Sequence, residues 1–377
     1  MIRSFKYIAL LFLVVLSCID PYWPDLEDEA PVLVVDALVT DDPDNQYVLL
    51  SLSAPIDNQE FIPVSGANVV VSDNLGNTIV FHGAEAGKYY PDNFVGIAGR
   101  SYMLTITLAN GKQYTSGFQL LTVMDEFDSL YYAIETQSTT DLLYDTKGAR
   151  FYIANIPSGH KDTYYLFQLV ETYKFHVDFK LKYIEAGNGL IQVMDPPPML
   201  CWETTKLNGF YLYKSLAHSD SQSQTLPLHF VTFDTKAFFE RYSLLVRQIS
   251  VSEEIFNLYN QINQQNNSGS VYAIQPYNII GNLQCVTDSE EPVLGNFIVG
   301  GIKEKREFFN RPPHIRFTFS RCFGQTDGVG YLIMRGGSPD NPLYFTLVDG
   351  GLANAAEECF LCSANGGTAE RPDFWED

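Results

Sequence analysis

Apolar and polar residues alternate along residues 31–123, and turn-forming residues interrupt the alternation at regular intervals. A period of two places successive side chains on opposite faces of a strand, whereas a helix repeats every 3.6 residues. Several short strands separated by turns are typical of an all-β sandwich. We therefore predict that residues 31–123 form a β-sandwich and that the whole protein is mainly β.

Two turn signals support this prediction. Asn74-Leu75-Gly76-Asn77 and Asn110-Gly111 each place a glycine where a hairpin needs a positive φ. The residues Tyr102, Leu104, Ile106 and Leu108 should share one face. The predicted strands are Val32–Val39, Tyr47–Leu52, Asn68–Ser72, Thr78–Phe81, Ser101–Leu108 and Gln113–Thr115.

The glycine spacing of this segment resembles a known type of module. Gly66, Gly76, Gly87 and Gly99, followed by Tyr102, are similar to the small immunoglobulin-like modules of outer-membrane receptor plugs and carboxypeptidase regulatory domains. The resemblance implies a spacer or docking module. None of these positions carries reactive chemistry.

Residues 124–377 are predicted to form a larger β-rich domain with one amphipathic helix over Val251–Gln265. Ser250 and Glu253 fit a capping box, with Ser250 as the N-cap. The apolar positions at helical spacing should face a sheet; they are Ile255, Leu258, Tyr259 and Ile262. The predicted strands are Phe151–Ala154, Tyr164–Tyr173, Lys174–Tyr183, Phe210–Tyr213, Leu228–Phe233, Tyr242–Ile249, Arg316–Phe319, Tyr331–Arg335 and Tyr344–Val348.

The N-terminus has the features of an export signal. Arg3 and Lys6 precede an apolar run from Tyr7 to Leu16 that is too short to span a bilayer. The run ends in Val15-Leu16-Ser17-Cys18, which resembles the bacterial lipobox, where the cysteine is acylated and becomes the first mature residue. We predict a signal peptide over residues 1–17, lipid attachment at Cys18 and an acidic tether over residues 18–30.

The charge of the chain excludes several partners. The formal net charge is −21, and removal of residues 1–17 leaves 22 basic and 45 acidic residues. Binding to nucleic acid requires clusters of lysine and arginine, which this sequence lacks. The same deficit argues against electrostatic adhesion to anionic lipid. The acidity is typical of a soluble body exposed outside the cytoplasm.

Five cysteines follow the proposed anchor: Cys201, Cys285, Cys322, Cys359 and Cys362. Disulfides are expected in an exported protein, and an odd count allows at most two within one chain. Cys359-x-x-Cys362 has three interpretations: a disulfide within the pair or to Cys322 or Cys285, a zinc knuckle, or a redox dithiol. The first is favoured because there is no second ligand pair for zinc and the glycine-rich continuation does not start a helix.

No catalytic, cofactor or metal motif is found. The six histidines lack ligand spacing, and there is no nucleophile elbow or phosphate loop. Gly300-Gly301 is interpreted as a short break before Ile302. The acidic run Asp41–Asp44 lacks calcium-loop spacing and is interpreted as a solvated turn. A carboxylate pair at the separation used by glycosidases, about 5–9 Å, could still arise by folding.

The second half of the chain resembles one lipoprotein family. The segments that carry the resemblance are Arg241–Val246, Gln275-Pro276, Ile280-Gly281-Asn282, Glu290–Phe297, Cys359-x-x-Cys362 and the ending Arg371-Pro372-Asp373-Phe374-Trp375. With the lipobox, they are similar to the domain-of-unknown-function 4249 lipoproteins of Bacteroidota. Where those relatives read Gly-Tyr-Phe, this chain has Gly295-Asn296-Phe297. The resemblance implies an outer-membrane lipoprotein encoded beside a TonB-dependent receptor and supplies no activity.

The leading hypothesis is therefore a non-catalytic, surface-exposed outer-membrane lipoprotein that is an accessory or binding subunit of a TonB-dependent-receptor-type or other β-barrel complex. A second hypothesis is a free-standing surface module that binds glycans or proteins. A hydrolase with an unrecognised carboxylate site is the third. No cofactor is expected under the first two.

Overall fold

The computed structural model describes residues 31–54, 60–124, 126–138, 145–154, 156, 163–187, 189–215, 225–267, 281–315, 322, 338–348 and 350–377. The predicted signal peptide, Cys18 and the tether lie outside these residues, as do the strands predicted at Arg316–Phe319 and Tyr331–Arg335.

The described residues of the N-terminal part form nine strands. They are β1 (Leu33–Thr40), β2 (Tyr47–Leu52), β3 (Ile62–Pro63), β4 (Asn68–Asp73), β5 (Thr78–Gly83), β6 (Lys88–Pro91), β7 (Ser101–Thr107), β8 (Gln113–Ser116) and β9 (Gln119–Leu120). The hairpins around Gly76 and Gly111 form as predicted, and both glycines have positive φ. On β7, Tyr102, Leu104 and Ile106 are buried, as the alternation predicts.

The second part has fourteen strands and one α-helix among the described residues. They are β10 (Ser129–Ser138), β11 (Asp145–Ala154), β12 (Thr163–His176), β13 (Tyr183–Glu185), β14 (Leu190–Gln192), β15 (Leu200–Lys206), β16 (Tyr211–Ser215), β17 (Thr225–Thr232), β18 (Arg241–Val251), α1 (Glu253–Asn267), β19 (Leu283–Cys285), β20 (Val293–Gly300), β21 (Ile302–Asn310), β22 (Leu343–Val348) and β23 (Gly351–Ala355). The prediction of a mainly β protein with one helix is confirmed.

The first sheet draws strands from both halves of the sequence. Its order is β19-β8-β7-β4-β5-β6-β2-β1-β20, with β3 beside β2 and β9 beside β7. Strands β19 and β20 also lie against each other, so the sheet wraps around one core. The boundary between residues 123 and 124 stays a prediction; strands from beyond it complete the N-terminal sheet.

Two further sheets enclose the second large core. One has the order β10-β11-β17 and the other β15-β12-β18-β21, with β16 beside β12. Aromatic side chains fill the space between them; Phe151, Phe238 and Tyr242 stack with ring centroids 4.8 to 6.1 Å apart. A small sheet, β14-β13-β22-β23, completes this half.

Two predictions about this half are wrong. A separate strand over Lys174–Tyr183 does not form; instead β12 continues to His176, because its pairing with β15 extends that far and its pairing with β18 extends to Lys174. Ser250 is not the N-cap of the helix. The Ser252 hydroxyl accepts a hydrogen bond from the Ile255 amide at 3.3 Å, whereas Ser250 lies in β18.

A third apolar cluster joins the two halves. Leu38 from β1 and Ile298 from β20 meet Leu166, Ile249 and Ile255 from β12, β18 and α1. Leu38 and Ile298 lie on the outer face of the N-terminal sheet, since the residues next to them on β1 and β20 point into the core of that sheet. The contact between the halves is therefore a packed sheet-on-sheet interface.

Polar groups complete this interface beside the apolar cluster. The Gly301 amide lies 2.9 Å from the Ser250 hydroxyl oxygen, and the Thr122 hydroxyl donates to Ser250 at 2.9 Å. Asp41 accepts a hydrogen bond from the Ile302 amide at 2.8 Å. The break predicted at Gly300-Gly301 is present, and it is a junction between the halves.

Gly295 provides a test of how tightly β20 is held. Its φ is +94°, and a Cβ built there would lie 1.9 Å from the carbonyl oxygen of Val35 on the parallel neighbour β1. We expect Gly295→Ala to lower the free energy of unfolding by about 2–4 kcal/mol, from backbone strain and overpacking together. Gly76→Ala is the matched control, since its φ is +87° and no atom lies within 4 Å. The measurement is equilibrium unfolding in urea. Equal losses of unfolding free energy in the two variants would contradict the close approach of Gly295 to Val35.

Candidate functional site

A recess opens at the interface between the halves, and we call it the interdomain cleft. Its volume is about 230 Å³, and it opens beside the apolar cluster that joins the halves. One wall is the outer face of β1, β2 and β6, and the other is formed by β12, β15 and β18. Ligand sites occur preferentially at such domain interfaces.

Strand register aligns the first wall in two rows. Asp36 pairs with Leu49, and Leu49 pairs with Lys88, so these three side chains form one row across β1, β2 and β6. Leu38 pairs with Tyr47, and the same register places Tyr90 next in line. The wall therefore offers a lysine at the end of the first row and two neighbouring tyrosines in the second.

The opposite wall is polar and basic. Gln168 on β12 pairs directly with Arg247 on β18. Lys206 at the end of β15 pairs with Val170, which places it diagonally from Gln168. The three side chains thus follow one another across three adjacent strands.

Ion pairing differs among the charges of the cleft. Arg247 is paired, with its Nε 2.6 Å from an oxygen of Glu304. The Tyr47 hydroxyl donates to Asp36 at 3.0 Å, and burial, together with this carboxylate, raises the pKa of Tyr47. Lys88 and Lys206 are exposed and make no ion pair with any residue that the structure describes. Two lysines are therefore available to a ligand.

A second polar group lies between the sheets of the C-terminal half; we call it the acidic network. Its members are Glu171, Tyr173, Glu203, His229, Lys236 and Tyr242. Tyr173 on β12 pairs with Glu203 on β15, so Glu171 and Glu203 are diagonal neighbours on one face of the sheet.

Each carboxylate in the network has a protein partner. The Tyr242 hydroxyl donates to Glu171 at 2.8 Å, and the Lys236 ammonium lies 2.7 Å from Glu203. Burial raises the pKa of Glu171, with Glu203 adding to the effect and the Tyr242 hydrogen bond opposing it. Burial and Arg150 lower the pKa of His229, whose ring lies 3.9 Å from Glu171.

Glu171 therefore makes the folded protein sensitive to pH. A folded-state pKa above the unfolded value means that folding favours the protonated acid, and stability falls as the pH rises through the raised pKa. We expect Glu171→Gln, which still accepts the Tyr242 hydrogen bond, to raise the unfolding temperature at pH 8 and to change it little near pH 4. Exposed Glu370→Gln is the control. A variant less stable than the wild type at pH 8 would contradict this account.

The cysteines form two disulfides. Cys201 is bonded to Cys362, and Cys322 to Cys359, while Cys285 is a buried free thiol. The pair Cys359-x-x-Cys362 is thus not bonded internally. Its two members tie the C-terminal segment to different parts of the chain, one of them β15. The partnership of Cys362 with Cys201 was not among the pairings expected, because sequence spacing does not report which strands lie side by side.

The C-terminal ending packs back onto the same sheet. Trp202, next to Cys201, exchanges two backbone hydrogen bonds with Thr368. The Trp375 ring lies edge-on to Phe308 at 5.4 Å, and the Arg306 guanidinium lies 3.6 Å from the Phe374 ring centroid. The Pro-Asp-Phe-Trp ending therefore has a packing role in this structure.

Within the described part of the chain, no group of three or more histidine, cysteine, aspartate or glutamate residues could hold a metal ion. His82, His176 and His229 each lie beside a single carboxylate. Asp42 and Asn45 close a hydrogen-bonded turn, and Asp41 binds the Ile302 amide instead. Cys18 lies outside the described residues.

Comparison with known proteins gives one match. The family model described as Domain of unknown function (DUF4249) covers residues 19–306 of the 377. No curated protein and no solved structure matches the chain. The matched range includes the interdomain cleft, the acidic network and Gly295, and it ends before the segment that contains Cys359 and Cys362. Since the match covers well over half of the chain, the protein belongs to the DUF4249 family.

Proposed function

We propose that this protein is a lipid-anchored, non-catalytic outer-membrane lipoprotein that serves as an accessory or binding subunit of a TonB-dependent-receptor-type or other β-barrel complex. The observation that carries the proposal is the N-terminal sequence, in which a basic segment and a short apolar run end at the lipobox cysteine, Cys18. Among the described residues no helix has the length and apolar character needed to cross a bilayer. Attachment through Cys18 accounts for membrane association without such a helix.

A non-catalytic role is supported by the state of the acidic network. A general acid or nucleophile must reach a substrate. Glu171 and Glu203 are instead engaged by Tyr242 and Lys236 between two packed sheets. These partners are those of a partly buried structural network.

A protein partner is supported by an exposed apolar group at the edge of the N-terminal sheet. Phe118, Leu120 and Val123 are 52%, 52% and 70% exposed; Leu120 lies in the short strand β9, and the other two lie on either side of it. The Gly99 amide donates a hydrogen bond to the Leu121 carbonyl, so the segment that carries the exposed Ile97 runs beside β9. Exposed apolar side chains that are grouped in this way mark interaction surfaces. We name the four residues the apolar edge.

The second candidate, a free-standing surface module that binds glycans or proteins, is favoured by the interdomain cleft. Tyr47 and Tyr90 lie side by side there, and aromatic rings stack on sugar faces. This function requires no barrel partner.

The test is purification of C-terminally tagged protein from gently solubilised outer membranes, with mass spectrometry of what accompanies it. We expect a stoichiometric β-barrel protein, and we expect Phe118→Ser with Leu120→Ser to lose it. Leu75→Ser is the control, since Leu75 is also an exposed apolar residue, at 68%, but lies in the turn after β4. Recovery of the anchored protein alone would overturn the accessory role and favour the free-standing module.

A further inference from the structure

We infer that the interdomain cleft is a binding site for an acidic sugar, a pyranose ring that carries a carboxylate or sulfate group. The inference concerns the cleft alone and does not require the barrel partner proposed above. It rests on the charge, the aromatic content and the size of the cleft.

The charge of the cleft is opposite to that of the chain. Of its ten lining residues three are cationic, whereas only 24 of the 377 residues in the chain are lysine or arginine; Arg247 is paired with Glu304, which leaves Lys88 and Lys206. The single carboxylate of the lining, Asp36, is engaged by the Tyr47 hydroxyl. Lys88 and Lys206 approach from opposite walls and have no ion pair among the described residues. A negative group placed between them would be attracted from both sides.

The aromatic residues favour a flat, partly apolar ligand over a simple inorganic anion. Tyr47 and Tyr90 occupy neighbouring positions on β2 and β6. Tyr47 is partly buried against the apolar cluster and is held by its hydrogen bond to Asp36, whereas Tyr90 is 43% exposed and presents its ring to the cleft. Rings of this kind offer an apolar face to the C–H face of a sugar.

Hydrogen-bonding groups for sugar hydroxyls are also present. Gln168 and Asn45 line the same recess, and each side-chain amide both donates and accepts. The volume of about 230 Å³ is smaller than that of typical drug-sized sites, so one sugar residue fills it and further residues would extend outwards. The proposed ligand is therefore a single acidic sugar or the end of an acidic glycan.

The test is isothermal titration calorimetry on the full mature protein in detergent, with galacturonic acid, galactose 6-sulfate and galactose as probes. We expect at least one acidic sugar to bind about tenfold or more tightly than galactose. High salt should weaken the binding, since the lysines are exposed. The acidic probe that binds more tightly shows whether the cleft prefers a carboxylate or a sulfate group.

The variant Lys88→Ala with Lys206→Ala should bind the acidic sugar about tenfold more weakly while retaining the wild-type unfolding temperature, because both side chains are exposed. Lys180→Ala is the control, an exposed lysine outside the cleft. Equal binding of galactose, an unchanged affinity of the double variant, or no heat from either acidic sugar at roughly 10 mM would overturn the inference. None of these outcomes depends on whether a barrel protein is recovered with the chain.

Discussion

Replacing Cys18 by serine is expected to move nearly all of the protein from the membrane fraction to the soluble fraction. Serine cannot receive the thioether-linked lipid that the lipobox specifies. Each buried methylene of an acyl chain contributes about 0.8 kcal/mol, and one chain alone holds a protein only marginally, whereas two or three give stable anchoring. Loss of all the acyl chains therefore removes the free energy that would hold the protein at the membrane. The measurement is quantitative immunoblotting of fractionated cells.

The matched control for this experiment is Cys285→Ser, which also removes a thiol but not the proposed anchor. We expect that variant to stay in the membrane fraction. A wash in high salt distinguishes a lipid anchor from electrostatic adhesion, because only the latter is weakened by salt. Retention of the Cys18→Ser protein in salt-washed membranes would refute the lipoprotein assignment and with it the first part of the proposed function.

Removing the Cys201–Cys362 disulfide is expected to have the largest effect on stability. The bond closes a loop of 161 residues, and Cys322–Cys359 closes one of 37. In the chain-entropy model these loops correspond to about 5 and about 4 kcal/mol of stabilisation. We expect Cys201→Ala with Cys362→Ala to lower the free energy of unfolding by about 3–5 kcal/mol, because both sulfurs also lie in the core of the C-terminal half.

Equilibrium unfolding in guanidinium chloride measures this loss. Cys285→Ala is the control, since it removes a buried thiol that bridges nothing. The double variant should also lose the edge-on contact of Trp375 with Phe308, which near-ultraviolet circular dichroism reports. If the double variant lost no more unfolding free energy than Cys285→Ala, the C-terminal segment would be held by its packing contacts and not by the disulfide.

The free thiol of Cys285 illustrates how little the pairing of cysteines follows from their order. It faces the core of the N-terminal sheet from β19, although it lies far along the chain from most of that sheet. The odd number of cysteines determined that one would remain unpaired. Which one remained depended on the three-dimensional position of every strand that carries a cysteine.

Local patterns in the sequence were sufficient for the individual elements. The period-two alternation was sufficient to predict β1, β2, β4, β5, β7 and β8, since alternate side chains must reach one core. The short strands β3 and β6 were not predicted. Gly76 and Gly111 determined their hairpins because each turn requires a positive φ. The helical spacing of Ile255 and Leu258 determined α1, and both side chains are buried as that spacing requires.

Tertiary structure decided what no local pattern records. The parallel pairing of β20 with β1 joins residues more than 250 positions apart, and it makes Gly295 a point of close approach. The interdomain cleft brings Lys88 from one half towards Lys206 from the other. The acidic network likewise depends on the register between β12 and β15. In each case the physical cause is the same: alternation determines which face a side chain occupies, but only the pairing and packing of distant strands determines which side chains face each other.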